Sequence, residues 1–158
     1  MLRSALTFAK KGLCVFPCLK RDKRPAVANG VNAATTNAEI IQQWWRQLPA
    51  ANIGVATGKP SGIFVVDVDG VDAEAELRKL EAQHGALPPT IEVITARGRH
   101  VYFKMPAAPI RNSTGKLGPG LDIRATGGYV LAPPSIHPTG RRYAWSVDCA
   151  NAIAPAPA

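Results

Sequence analysis

Residues 62–70 read GIFVVDVDG, four strand-forming apolar residues running straight into two aspartates one residue apart. On a strand, side chains alternate faces, so Asp67 and Asp69 leave the core pointing to the same side. Two carboxylates that close raise each other's pKa unless a cation neutralises them. Hard divalent ions, Mg²⁺ or Mn²⁺, take such oxygen ligands, commonly together with phosphate oxygens. The plain alternative is a pair of solvated aspartates at a strand end.

Around this strand the chain alternates helix and strand. Residues 2–11 and 37–48 predict helices, the first ended by Gly12 and the second capped by Thr36 or Asn37 and stopped before Pro49. Residues 71–83 predict a third helix, with acids crowding its first turn. Strands are expected at 13–17, 53–56, 62–69, 91–95, 100–104, 121–124, 129–133 and 143–147. The segment ARGR reads as a tight connection between 91–95 and 100–104, and ATGG as one pairing 121–124 with 129–133. Residues 105–120, rich in Pro, Gly and basic groups, form a loop. The expectation is an α+β (α/β) domain over 1–150 with a mostly antiparallel sheet in its second half, and a Pro/Ala-rich tail or linker over 151–158.

Charge is unevenly spread. The net +8 divides into nine Lys/Arg against two acids over 1–59, six acids against two bases over 60–89, eight bases against two acids over 90–142, and the lone acid Asp148. An acidic centre between basic flanks suits a polyanion drawn to a metal site, although a solvated basic surface gives the same count. No apolar run reaches the ~20 residues of a membrane span, and Lys10 and Lys11 break any signal-peptide pattern, so a cytoplasmic protein with no membrane partner is expected. Cys14, Cys18 and Cys149 make neither a disulfide framework nor a four-ligand zinc site and read as spectators.

A third acid, Asp122, interrupts the apolar run GLDIR, with Arg124 on its face as a ready salt-bridge partner. Together with Asp67 and Asp69 it completes the ligand set of a two-metal centre. His100 opens the strand HVYFK and shares a face with Tyr102. A lone histidine is commonly structural, but Arg97 and Arg99 beside it offer phosphate donors.

In order and spacing, NIGVATGKPSGIFVVDVDG, TIEVITARGRHVYFK and GLDIRATGGYVLAPPSIHPTGRRYAW resemble the successive motifs of the bifunctional primase–polymerase (Prim-Pol) domain of the archaeo-eukaryotic primase superfamily. The likeness extends back through WWRQLPAANIGV and VFPCLKRDKRPA, covering nearly the whole chain. It implies an RRM-like sheet beside a smaller N-terminal α/β unit. It also implies a DNA primase or DNA-directed polymerase using dNTP or NTP on a DNA template and primer. Such domains stand before helicases in plasmid, phage and prophage replication proteins, so a C-terminal helicase region is an expectation. By position, Asp67, Asp69 and Asp122 correspond to the metal ligands and His100 to the residue on the nucleotide's phosphates. The place two before His100 is Gly98, so the family's hydroxyl contact there is absent, with Thr95 or Arg97 left to substitute. Lys23, Ser135 and His137 resemble recurring polar positions of the nucleotide pocket. Ser135 also reads as turn chemistry after Pro134, and His137 as a surface residue before Pro138.

Two other functions fit parts of the pattern. IFVVDVDGV matches the nucleophile strand of haloacid-dehalogenase-type phosphatases, with Asp67 as nucleophile and Asp69 as acid/base. Against it, 66 residues precede the motif and no late pair of acids follows to hold magnesium. A non-catalytic single-stranded nucleic-acid-binding domain is the other alternative. A calcium loop is excluded, since Asp72 and Arg78 stand where the turn glycine and bidentate glutamate belong.

Overall fold

The apolar strand becomes the middle of a sheet. In the computed structural model, which describes residues 1–148, 150 and 152–157, β3 (Ile63–Asp69) is flanked on both sides by antiparallel partners. The elements in chain order are α1 (Leu2–Lys10), β1 (Val15–Cys18), α2 (Ala38–Gln47), β2 (Asn52–Ala56), β3, α3 (Val71–His84), β4 (Glu92–Ile94), β5 (Gly98–Lys104), β6 (Ser113–Thr114), β7 (Leu121–Arg124), β8 (Tyr129–Ala132) and β9 (Ala144–Trp145). A 3₁₀ turn covers Gly30–Ala33. Six strands make one sheet in the order β6-β7-β3-β5-β4-β9, and three make another, β1-β2-β8. All the strand pairings are antiparallel. The molecule is therefore a mixed α+β domain, as its alternating patterns imply.

Alternation along β3 divides the core. Ile63 and Val65 join Tyr102 and Val93 in a cluster shared with the small sheet and with α1 and α2. Phe64, Val66 and Val68 face the other way, with Val101, Phe103, Leu121 and Ile123, under Ala73 and Leu77 of α3. Both faces of β3 are thus covered, which explains its unbroken apolar run. The same alternation carries Asp67 and Asp69 to the side facing the small sheet. Helix α2 is fixed at its start by the Asn37 carboxamide, which accepts from Glu39 N–H at 2.9 Å and Ile40 N–H at 3.2 Å.

One expected pairing is not made. Residues 121–124 and 129–133 do not form a hairpin: β7 pairs with β3 and β8 with β2, in different sheets. The reason is where their apolar residues belong. Leu121 and Ile123 pack under α3, whereas Val130, Leu131 and Ala132 pack between the sheets. The ATGG segment therefore crosses between the sheets, held by Thr57 Oγ1 donating to Ala125 O at 2.7 Å. The loop expected over 105–120 contains the short strand β6, paired with β7.

Ala154 of the Pro/Ala-rich segment lies beside Phe103 of β5 in a parallel bridge, and its carbonyl accepts from Lys104 N–H at 2.9 Å. Cys18 is buried, with its thiol pushed up to about 12 chiefly by burial, and Cys14 is half-buried; neither is in a disulfide. Cys149 lies outside the described residues. Among the described residues, no helix is long and apolar enough to cross a membrane.

Candidate active site

The register of three neighbouring strands sets the site. Asp67 stands directly opposite His100 on β5 and directly opposite Asp122 on β7. One row across the sheet therefore reads Asp122, Asp67, His100, with Asp69 two residues further along β3. Asp67 Oδ1 is 3.5 Å from His100 Nε2. Arg124, two residues after Asp122 on the same face, places Nη2 2.8 Å from Asp122 Oδ2 and 3.6 Å from Asp67 Oδ2. The other Asp122 oxygen accepts from Gly115 N–H at 3.0 Å.

Asp69 faces Gly98. A side chain at Gly98 would overlap the Val68 carbonyl oxygen, so the close approach of β5 to β3 requires glycine there. This gives a packing reason for the hydroxyl missing at this place. The Thr95 hydroxyl turns inward instead, accepting from Gly98 N–H at 3.1 Å and so closing the turn between β4 and β5. Arg97, in that turn, reaches across to Asp69 Oδ2 at 2.5 Å.

Arg99 does not join it. As the next residue but one before Val101 it points to the α3 side, where Glu74 holds it at 2.8 Å and Glu92 at 2.7 Å. The expectation that both arginines serve phosphate is therefore corrected for Arg99, which ties α3 to β4.

Two cavities meet at Asp67 and His100, whereas Asp122 lines neither and is tied to them through Arg124. The larger, about 310 Å³, is lined by Lys23, Asp67, His100, Asn112, Arg124, Tyr129 and Tyr143 among others. The smaller, about 30 Å³, is lined by Lys23, Asp67, Asp69, Thr95, Arg97, His100, His137 and Tyr143 among others. Lys23, Asp67, His100 and Tyr143 belong to both. Lys23 arrives on a loop whose backbone carbonyls are tied to β8 and β2 by side chains of those strands. Tyr129 O–H donates to Lys23 O at 3.0 Å, and the buried Asn52 carboxamide donates to Asp22 O at 3.0 Å. Asn52 also donates to Ile136 O and accepts from Ile136 N–H, both at 2.8 Å, so one side chain fixes the Lys23 loop and the His137 loop together. His137 Nδ1 accepts from Thr139 N–H at 3.2 Å, which leaves Nε2 as the protonated nitrogen of the neutral ring.

Ser135 lines neither cavity. It is fully buried, and its hydroxyl accepts from Ile53 N–H at 2.8 Å, holding the chain beyond Pro134 against β2.

Burial dominates the electrostatics. It raises the Asp67 carboxyl above the ordinary carboxylate value, with Arg124 pulling the other way and Asp69 adding to the rise. His100 is pushed down to about 3 by burial, assisted by the charges of Lys23 and Arg124. Its ring is neutral at physiological pH, so the contact with Asp67 is a polar one and not an ion pair. His100 Nδ1 is buried without a hydrogen-bond partner. Tyr143 is pushed up to about 12 by burial and then by Asp67 and Asp69, so its phenol remains a proton donor.

Three carboxylates on one face form a donor set of the kind hard dications take. Among the described residues, however, no three His, Cys, Asp or Glu side chains converge as a metal cage. The carboxylates are turned to arginines: Asp69 to Arg97, Asp122 and Asp67 to Arg124. The chemistry of the donors fits such an ion, which would compete with the arginines for the Oδ2 atoms.

Tyr143, Tyr129 and Asn112 line the site without any mark in the local sequence. Only Asn52, a polar residue opening an otherwise apolar strand, carried a signal.

Fold and cleft define a mixed α+β domain whose cavity has a carboxylate floor and cationic walls. The family model described as bifunctional DNA primase/polymerase, N-terminal (Prim-Pol), matches residues 5–158, and the chain belongs to that family. The family is one of primase/polymerase-type nucleotidyltransferases, with DNA and nucleotides as the implied substrates. No curated protein gives a significant match.

Proposed function

We propose that this cleft carries out template-directed nucleotidyl transfer dependent on Mg²⁺ or Mn²⁺. The observation that supports it most is the row Asp122–Asp67–His100 across three paired strands, with Asp67, Asp69 and His100 lining the cleft and Asp122 joined to it through Arg124. Asp67, Asp69 and Asp122 would hold the metal. Such an ion, when bound, lowers the pKa of a primer 3′-hydroxyl and offsets charge on the departing pyrophosphate.

The chain's own groups then position the nucleotide. His100, neutral and buried, offers a hydrogen bond to a phosphate oxygen without adding charge. Arg97 and Lys23, which line the smaller cavity, supply cations to the triphosphate, and His137, in the same lining, offers its Nε2–H. The larger cavity, about 310 Å³, falls at the lower end of the roughly 300–1,000 Å³ typical of small-molecule sites. It receives the sugar and base against Tyr129, whose ring is held edge-on to Phe16 at 5.1 Å. Ser135 takes no part in this reading.

The test is extension of a primed DNA template with labelled dNTPs and Mn²⁺. Extension is expected, with Asp67→Ala near background and His100→Ala reduced by about 100-fold or more. Undiminished extension by Asp67→Ala would refute the assignment. Binding of single-stranded DNA with no gain from Mn²⁺ and dNTP would instead favour a non-catalytic module.

A further inference from the structure

We infer that Arg124 is an internal counter-ion that occupies the cation position between Asp67 and Asp122, and that nucleotide binding exchanges it for the metal. The inference rests on the metal reading above and concerns how that site is loaded.

A single nitrogen, Arg124 Nη2, touches both carboxylates, at 2.8 Å from Asp122 Oδ2 and 3.6 Å from Asp67 Oδ2. Asp67 and Asp122 are cross-strand partners on the inter-sheet face, so the nitrogen bridges the very pair that a shared dication would bridge. Neighbouring charge compensation is the same in kind: Arg97 pairs with Asp69. Without the Arg124 guanidinium, the half-buried carboxylates of Asp67 and Asp122 would face each other across the two strands with Asp69 close by, which is unfavourable. With it, the cleft is a preformed site whose cation is part of the chain.

The consequence is competition. An incoming dication competes with a guanidinium for the Oδ2 atoms of Asp67, Asp69 and Asp122, so the nucleotide-free protein binds metal poorly. A triphosphate changes this balance, because it gives the displaced arginines new anionic oxygens to contact. Arg124 already lines the larger cavity beside Lys23, so its guanidinium can leave the carboxylates without leaving the site. Metal and triphosphate therefore favour each other's binding, and the coupling passes through the arginines. Asp122 is suited to this exchange. Its Oδ1 stays fixed by Gly115 N–H, so only Oδ2 has to change partner.

The experiment titrates the full chain with Mn²⁺ alone, reading free Mn²⁺ by its paramagnetic resonance signal, and separately with dTTP in EDTA by calorimetry. Arg124→Gln should tighten Mn²⁺ binding to the nucleotide-free protein by about fivefold while weakening dTTP binding in EDTA by at least a similar factor. Arg124→Lys, which keeps the charge, should stay near wild type in the Mn²⁺ titration. Arg97→Gln should act in the same directions through Asp69, and provides an independent variant should Arg124→Gln fold poorly. Opposite effects on the two ligands are what loss of a merely structural contact does not produce. Mn²⁺ binding that is lost in Asp67→Asn but equal or weaker in both arginine variants overturns the exchange and leaves the metal reading standing. Tighter Mn²⁺ binding with unchanged dTTP binding also overturns it. Mn²⁺ binding insensitive to Asp67→Asn removes the metal reading and the inference with it.

Discussion

His100 makes a measurable demand on stability. Its folded pKa of about 3 lies below the ordinary 6.5, so between those values the unfolded chain holds a proton that the folded one lacks. In metal-free protein, stability should therefore fall as pH drops from about 6.5 towards 3. The raised Asp67 carboxyl acts in the opposite sense just above 3.8, which makes the region near pH 6 the cleaner window. Chemical denaturation at pH 7 and pH 5.5 should show the loss in wild type and a reduced loss in His100→Gln; equal losses would contradict the buried neutral ring. Asn52 is the other residue with a large expected effect. Asn52→Ala leaves Ile136 N–H and two carbonyls of the site loops without their partner, and should cost about 2–3 kcal/mol. A change in urea-denaturation stability below about 0.5 kcal/mol would show that these bonds are replaced. Asp67, Asp69, Asp122 and His100 were legible in the sequence because a charged or polar residue inside an apolar strand is conspicuous and period two fixes its face. Tyr143 and Tyr129 were not, because their roles come from strands and loops brought together only in the fold.

At the scale of elements, the closeness of β3 and β5 is what aligns Asp67 with His100. Gly98 permits it, since any side chain there meets the Val68 carbonyl. Gly98→Ala should therefore destabilise the protein by about 1–3 kcal/mol and lower nucleotide affinity as the register opens, measured by thermal melting and dTTP titration. An unchanged melting temperature would contradict this account of the glycine. Arg99 shows how a local pattern misleads. Its neighbours Arg97 and His100 suggested a shared phosphate site, but the pleat sends it to α3, where Glu74 and Glu92 take it. The ATGG segment misled in a related way. Two short strands across a glycine pair read as a hairpin, and only the division of their apolar residues between two cores separates them. Local turn chemistry does not carry that information.

Across the whole molecule, two sheets meet so that the carboxylate row faces an interior cleft, and the chain around it carries a net charge of +8. Backbone phosphates should supply much of the affinity for single-stranded DNA, so binding should weaken by at least about tenfold between 50 and 200 mM salt. Fluorescence anisotropy measures this, and a flat salt response would argue against the basic flanks as the DNA-binding surface. The α+β class and antiparallel second half followed from strand and helix periodicity, whereas the split into two sheets depends on long-range pairing that no short segment encodes. The central claim is that Asp67, Asp69 and Asp122 hold the metal while His100 and Arg97 hold the triphosphate. It is tested most directly by an anomalous difference map from a crystal soaked with Mn²⁺ and a dNTP. A manganese peak among the three carboxylates, with the triphosphate against His100 and Arg97, is the predicted result. Manganese bound elsewhere, or a triphosphate away from that row, would contradict it.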